Sequence, residues 1–258
     1  MSNILMTDFL IVFLIFLRIL SALIAAPVFG HKAIPAVSKV FISFVIAYIV
    51  FNSVNSPEIT LDFNVWWIAT TALKEIITGL IIGYTLNFIF YGINFAGSLI
   101  GFDIGLAMAT IFNPVDESSG NVIGQLVYFL ALLMFFIING HHYVIQGLAY
   151  SFHVIPLSEA TIKESVVELL IKYSATVFII AVKISAPILV SYFLIHIAEG
   201  ILARIIPQMQ VFFVTYPIKI GVGFLMMTML VPLYVGLIKN LLHDFENNLL
   251  SLVRAMGN

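Results

Sequence analysis

Of the 258 residues, 62% are hydrophobic and 9% are Asp, Glu, Lys or Arg, with a mean hydropathy of +1.13. A soluble domain carries about 25% charged residues, so this chain cannot cover a water-facing surface and reads as an integral membrane protein. A formal net charge of −2 leaves no basic stripe to neutralise phosphates, which excludes nucleic acid as a partner. The absence of cysteine excludes disulfides, thiolate catalysis and cysteine-ligated metals.

The N-terminal MSNILMTDF has no positive n-region and reads as the start of a retained first helix, not as a signal peptide. The first apolar segment runs from about Phe9 to Phe29 with Arg18 near its middle, where a cation is costly unless it snorkels or pairs with a carboxylate. A basic loop follows, with His31, Lys32 and Lys39 between Pro27 and Pro35. The second segment, Val40 to Val54, leads into a loop with Glu58 and Asp62. This asymmetry places the basic loop in the cytoplasm if the two segments form an ordinary hairpin. Trp66 and Trp67 then fall where an interfacial aromatic belt belongs.

Lys74 and Glu75 are consecutive, so a helix points them about 100° apart, towards different neighbours. Ile76 to Phe102 holds 27 residues without a charge, about 40 Å of helix against a hydrocarbon core of about 30 Å. Such a helix tilts, bends or protrudes. Asn87, Asn94 and Asp103 supply polar groups along it, and the pair Gly79 and Gly83 gives it a small face. A longer stripe of small residues, Gly97, Gly101, Gly105 and Ala109, recurs every fourth position and predicts close helix packing within a bundle or against another subunit. Asp103 lies nearly opposite that stripe, aimed at another partner or a wet interior. The stripe runs into the polar loop Asn-Pro-Val-Asp-Glu-Ser-Ser-Gly, which either lies outside the membrane or lines a wet passage within it.

Ser118 to Ser158 has no Asp, Glu, Lys or Arg in 41 residues, about 60 Å if helical, so a break is expected at Asn139-Gly140. Gly120 and Gly124 form another small pair before it. Thr161 to Lys172 is charged enough for an interface, and Tyr173 to Ile197 reads as a further span with Lys183 and Pro187 inside. Ile201 to Lys219 contains Arg204, Pro207, Gln208, Gln210 and Pro217, and reads as a bent hairpin packed on other protein. Gly221 to Ile238 is a last apolar run, and Lys239 to Asn258 an amphipathic or frayed tail. The fold class is all-α, with long bent helical hairpins and no soluble domain, over residues 1–258 as a single helical membrane domain.

Catalytic patterns are absent: no H-E-x-x-H, no G-x-S-x-G and no P-loop occurs, so no enzyme activity and no cofactor is expected. His141 and His142 are neighbours that should point apart, as a capped turn or an interfacial pair. His196 and Glu199, at i and i+3, share a helix face and are expected to form a hydrogen-bonded pair at a helix end, not a metal site.

Four stretches, GFDIGLAMATIFNP, FIINGHHYVI with the following HVIPL, RIIPQMQVFFVTYPIKIGVG and the Arg18 segment FLRILSALIAAPVFG, occur in an order that resembles the flagellar biosynthesis protein FliR family. That family includes the SctT components of virulence type III secretion systems, and the flagellar branch is the better match. The resemblance implies a core subunit of the flagellar type III protein export gate, in the bacterial inner membrane at the flagellar basal body. It implies a FliP-like unit joined to a FliQ-like unit, a ring assembled with FliP and FliQ, contacts with FlhB and FlhA, and unfolded flagellar proteins as cargo. It also implies a pore plug over residues 107–122. There Met108, Ile111 and Phe112 are apolar seal-formers beside Asn113, Pro114, Val115, Asp116, Glu117, Ser118, Ser119 and Gly120. Gly97, Gly101, Gly105 and Gly124 are then packing or subunit-interface positions, and Arg18, Asp103, Lys183, Arg204 and Gln208 are intramembrane polar groups. The rival reading is a small-solute or ion transporter using Arg18, Asp103 and Lys183.

Overall fold

The structure, a computed structural model, describes residues 2–31, 33–53, 64–106, 122–161, 163–208 and 210–257. The described residues form α-helices and connecting turns, with no strand among them. The helices are α1 (Ser2–Ala25), α2 (Ala36–Ser53), α3 (Val65–Ile104), α4 (Val122–Ile137), α5 (Gly140–Val154), α6 (Glu164–Ile205) and α7 (Val211–Gly257). Five of them are long and apolar enough to cross a membrane, or six spans if α4 and α5 count together as one.

Local chemistry sets the helix ends. Pro35 precedes α2, where its missing N–H costs nothing, and its carbonyl accepts from Ser38 and Lys39. Asn64 caps α3: its Oδ1 accepts the Trp66 N–H at 3.1 Å. The α3 helix closes on Gly105, whose φ of +95° is the left-handed geometry that ends helices. Gly105 is therefore the residue that stops α3 and not a step of the predicted helical stripe, and Ala109 lies outside the described residues. Asn139, at φ 59° and ψ 31°, occupies the same left-handed region and separates α4 from α5, at the predicted break.

Helices α6 and α7 outrun the apolar segments that announced them. The α6 helix spans 42 residues, about 63 Å; the charged stretch expected at an interface forms its first turns. The α7 helix spans 47 residues with Pro217 and Pro232 inside. The expected hairpin of Ile201 to Lys219 is thus the end of α6, a short turn around Pro207, and the start of α7. The tail is helical as far as Gly257: Leu242, Phe245, Leu249, Leu252 and Met256 are all at most 2% exposed and recur at spacings of three and four, which makes one buried stripe.

The chain divides into two compact units, 1–88 with 139–174 and 242–258, and 89–138 with 175–241. In the first unit α1 and α3 approach closely. A Cβ on Gly79 would strike the Arg18 carbonyl and the Ser21 hydroxyl, and one on Gly83 would strike the Ala22 carbonyl. The Asn87 amide donates to the Ala25 carbonyl, one of the acceptors left over where α1 ends. The α7 tail packs on α5, with Leu249 over Gly147 and Gly257 against Val154.

In the second unit the last turns of α3 gather three helices. Phe90 meets Tyr128 and Phe135 of α4 edge-on, at 5.4 and 6.1 Å between ring centres. Phe95 meets Phe178 of α6 at 5.9 Å, and Ile104 lies over Gly223 of α7. The pairs 199/219 and 192/223 recede from the α6–α7 turn in step, as in an antiparallel hairpin.

Candidate functional site

Two polar clusters interrupt these apolar interiors, one in each unit. In the first, Arg18 of α1 is fully buried and its Nε lies 2.5 Å from Oε2 of Glu75 on α3, also fully buried. Its Nη1 donates to the carbonyls of Ser151, at 3.2 Å, and Ile155, at 3.1 Å. Those oxygens lie at the C-terminal end of α5, where a helix presents partial negative charge. The guanidinium also sits 4.3 Å from the centre of the Phe152 ring. Of the two expectations for Arg18, the structure shows pairing and not snorkelling.

Lys74 and Glu75, expected to meet different neighbours, converge on one residue. Lys74 Nζ donates to the Ser158 carbonyl at 3.1 Å, and Glu75 Oε1 accepts the Ser158 N–H at 3.1 Å. Ser158 has a φ of 74°, which turns both its backbone groups back towards α3. His141 and His142 also depart from expectation, with ring centres 4.2 Å apart. An imidazole is long enough to swing back across the angle between consecutive helical positions.

The second cluster lies where α3 ends. Glu199 of α6 is almost fully buried, and its Oε2 accepts from Lys219 of α7 at 2.7 Å and lies 3.1 Å from Nδ1 of His196. The same Nδ1 is 3.2 Å from the Lys219 ammonium. Asp103, in the last turn of α3, is half-buried in the electrostatic field of His196 and Lys219. Two tyrosines frame the group: Tyr192 donates to the Lys219 carbonyl and Tyr216 to the Gly105 carbonyl. The expected His196–Glu199 pair is present, two turns inside α6 and not at its end. Sequence reasoning missed Lys219, Tyr192 and Tyr216; only their shared face on a hairpin could have signalled them.

The small-residue positions also meet. A Cβ on Gly97 of α3 would clash with the Cα of Gly124 of α4, 2.3 Å away, and Gly101 is buried. The helices that flank residues 107–121 are thereby held backbone to backbone. Lys183, Arg204 and Gln208 are exposed, and every position from Ile201 to Gln208 is open. Met108, Ile111, Phe112, Asn113, Pro114, Val115, Asp116, Glu117, Ser118, Ser119 and Gly120 lie outside the described residues.

A family model described as bacterial export proteins, family 1, matches residues 9–245. The chain belongs to this family. Among its relatives, the flagellar biosynthetic protein FliR of Bacillus subtilis (strain 168) is 33% identical over 93% of the chain and 94% of its own length. FliR of Escherichia coli (strain K12) is 26% identical over 93% and 91%. FliR of Aquifex aeolicus (strain VF5) is 26% identical over 95% of each. Membership in this export family agrees with the resemblance carried by the four motifs, and the apolar helices mark a membrane protein.

Proposed function

We propose that this chain is a non-enzymatic core subunit of the flagellar type III protein export gate in the bacterial inner membrane. It joins FliP and FliQ subunits in a ring, engages FlhB and FlhA, and residues 107–122 plug the pore through which unfolded flagellar proteins pass. The chain's own build is of a FliP-like and a FliQ-like unit in one polypeptide. Family membership over nearly the whole chain supports the reading. The structural observation that carries it is the mount on both sides of the proposed plug. On one side α3 ends at Gly105, held by Tyr216; on the other α4 begins beside Gly124, which is pressed on Gly97. In this reading, opening requires residues 107–122 to swing aside for an unfolded substrate while α3 and α4 stay in place.

Deleting Val115 to Ser119 is expected to raise ion leakage through the assembled gate, because Met108, Ile111 and Phe112 lose the support that keeps them in the pore. Unchanged conductance in a complex that still assembles would overturn the plug. Co-expression with FliP- and FliQ-like subunits tests the rest. A stable complex is expected, whereas a monodisperse chain that transports a solute alone would overturn the gate reading in favour of a transporter.

A further inference from the structure

We infer that Nδ1 of His196 is a proton-binding site whose occupancy exchanges the partners of two buried charges. The inference rests on a conflict at that nitrogen. It lies 3.1 Å from Glu199 Oε2 and 3.2 Å from Lys219 Nζ. A lone pair on Nδ1 accepts a Lys219 N–H; a proton on Nδ1 donates to Glu199 instead. One atom cannot do both.

Protonation adds a cation 3.2 Å from the ammonium of Lys219, which is 11% exposed and cannot escape into bulk water. A second carboxylate is at hand, because the residues that follow Asp103 of α3, Ile104 and Gly105, meet Gly223 and Tyr216, which bracket Lys219 on α7. With His196 neutral, Lys219 serves Glu199 and Nδ1. With His196 charged, the imidazolium takes Glu199 and Lys219 turns to Asp103, so two cations face two carboxylates and the cluster is neutral. The charged and titratable groups facing His196 among the described residues are Glu199 and Tyr192 on its own helix, Lys219 and Tyr216 on α7, and Asp103 on α3. The His196 side chain is 48% exposed, whereas Glu199 and Lys219 are largely covered. Histidine is the side chain that changes charge in the physiological range. The exchange acts on the last turn of α3, two residues before Gly105, where Tyr216 holds the chain.

The test is 15N NMR of histidine ring nitrogens in the full chain reconstituted in lipid nanodiscs, from about pH 8 to about pH 5.5, with His196→Gln assigning the signal. The expected result is an unprotonated Nδ1 at the high end that gains a proton bonded to carboxylate at the low end. Asp103→Asn should move that transition to lower pH, because Lys219 then has nowhere to go. As a second readout, a sole thiol from Leu106→Cys in this cysteine-free chain, compared with Ser251→Cys, should change its relative reactivity about threefold across the same range. That change should vanish in His196→Gln. An Nδ1 that carries its proton at both ends, a transition indifferent to Asp103→Asn, or a thiol response that survives in His196→Gln would each overturn the inference.

Discussion

A Cβ on Gly97 would lie 2.3 Å from the Cα of Gly124, far inside van der Waals contact. The α3–α4 crossing therefore has room for two hydrogens and nothing larger. Gly97→Ala is expected to destabilise the chain by about 1–3 kcal/mol through overpacking, and Gly97→Leu to abolish the crossing. Gly200 provides the contrast, because a methyl placed there would meet no heavy atom within 4 Å. Gly200→Ala should stabilise α6 by about 0.5–1 kcal/mol, because glycine in a helix interior is costly. Thermal unfolding in detergent, followed by intrinsic fluorescence, checks both; equal effects at the two positions would refute the packing argument.

Arg18 and Glu75 form an ion pair without solvent. Removing one partner leaves the other charge buried, so Arg18→Met or Glu75→Leu alone should cost about 3–5 kcal/mol. The double variant should regain most of that loss, because a buried pair is often replaceable by apolar groups of similar volume. A double-mutant cycle on folding stability measures the coupling. Additive losses would mean that Arg18 is held by the α5 carbonyls and Phe152 instead.

Asn139 sits in the left-handed region, where a residue with a Cβ is strained by about 1–2 kcal/mol. Asn139→Gly should preserve the break between α4 and α5 and leave stability unchanged or slightly higher. Asn139→Val should lose about 1–2 kcal/mol. Melting temperatures of the two variants decide it, and indifference to both would mean that the break is imposed from outside.

Leu249, 2% exposed, fills the space that Gly147 leaves on α5. Leu249→Ala should cost about 2–5 kcal/mol and loosen the α7 tail selectively. Limited proteolysis should then cut after residue 241 before it cuts elsewhere.

Much of the architecture was legible because it is written in local spacing. Asn139-Gly140 announced the break, and Gly79 with Gly83 announced a close helix contact. Helix lengths were not legible from apolarity, which reports bilayer thickness and not hydrogen bonding. Glu164 to Lys172 and Leu242 to Gly257 are polar enough to look like interface or tail, yet they continue α6 and α7; the second does so on a buried stripe, the first with only Val166 buried. Arg18 declared that it needed a carboxylate but not which one, since Glu75 and Ser151 are distant in sequence. The cluster around Glu199 was half visible: the i, i+3 pair lies on one helix, whereas Lys219 arrives by the hairpin.

The distance in sequence between Arg18 and Glu75 is also a distance in time. The two are separated by 57 residues, about 3–11 s of synthesis at ordinary elongation rates. Until Glu75 emerges, α1 carries an uncompensated guanidinium in an apolar segment, and the Ser151 and Ile155 carbonyls follow later still. An emerging chain must therefore shelter α1 at an interface or beside other protein. The appearance of α3 sets the earliest moment at which α1 can take its final place.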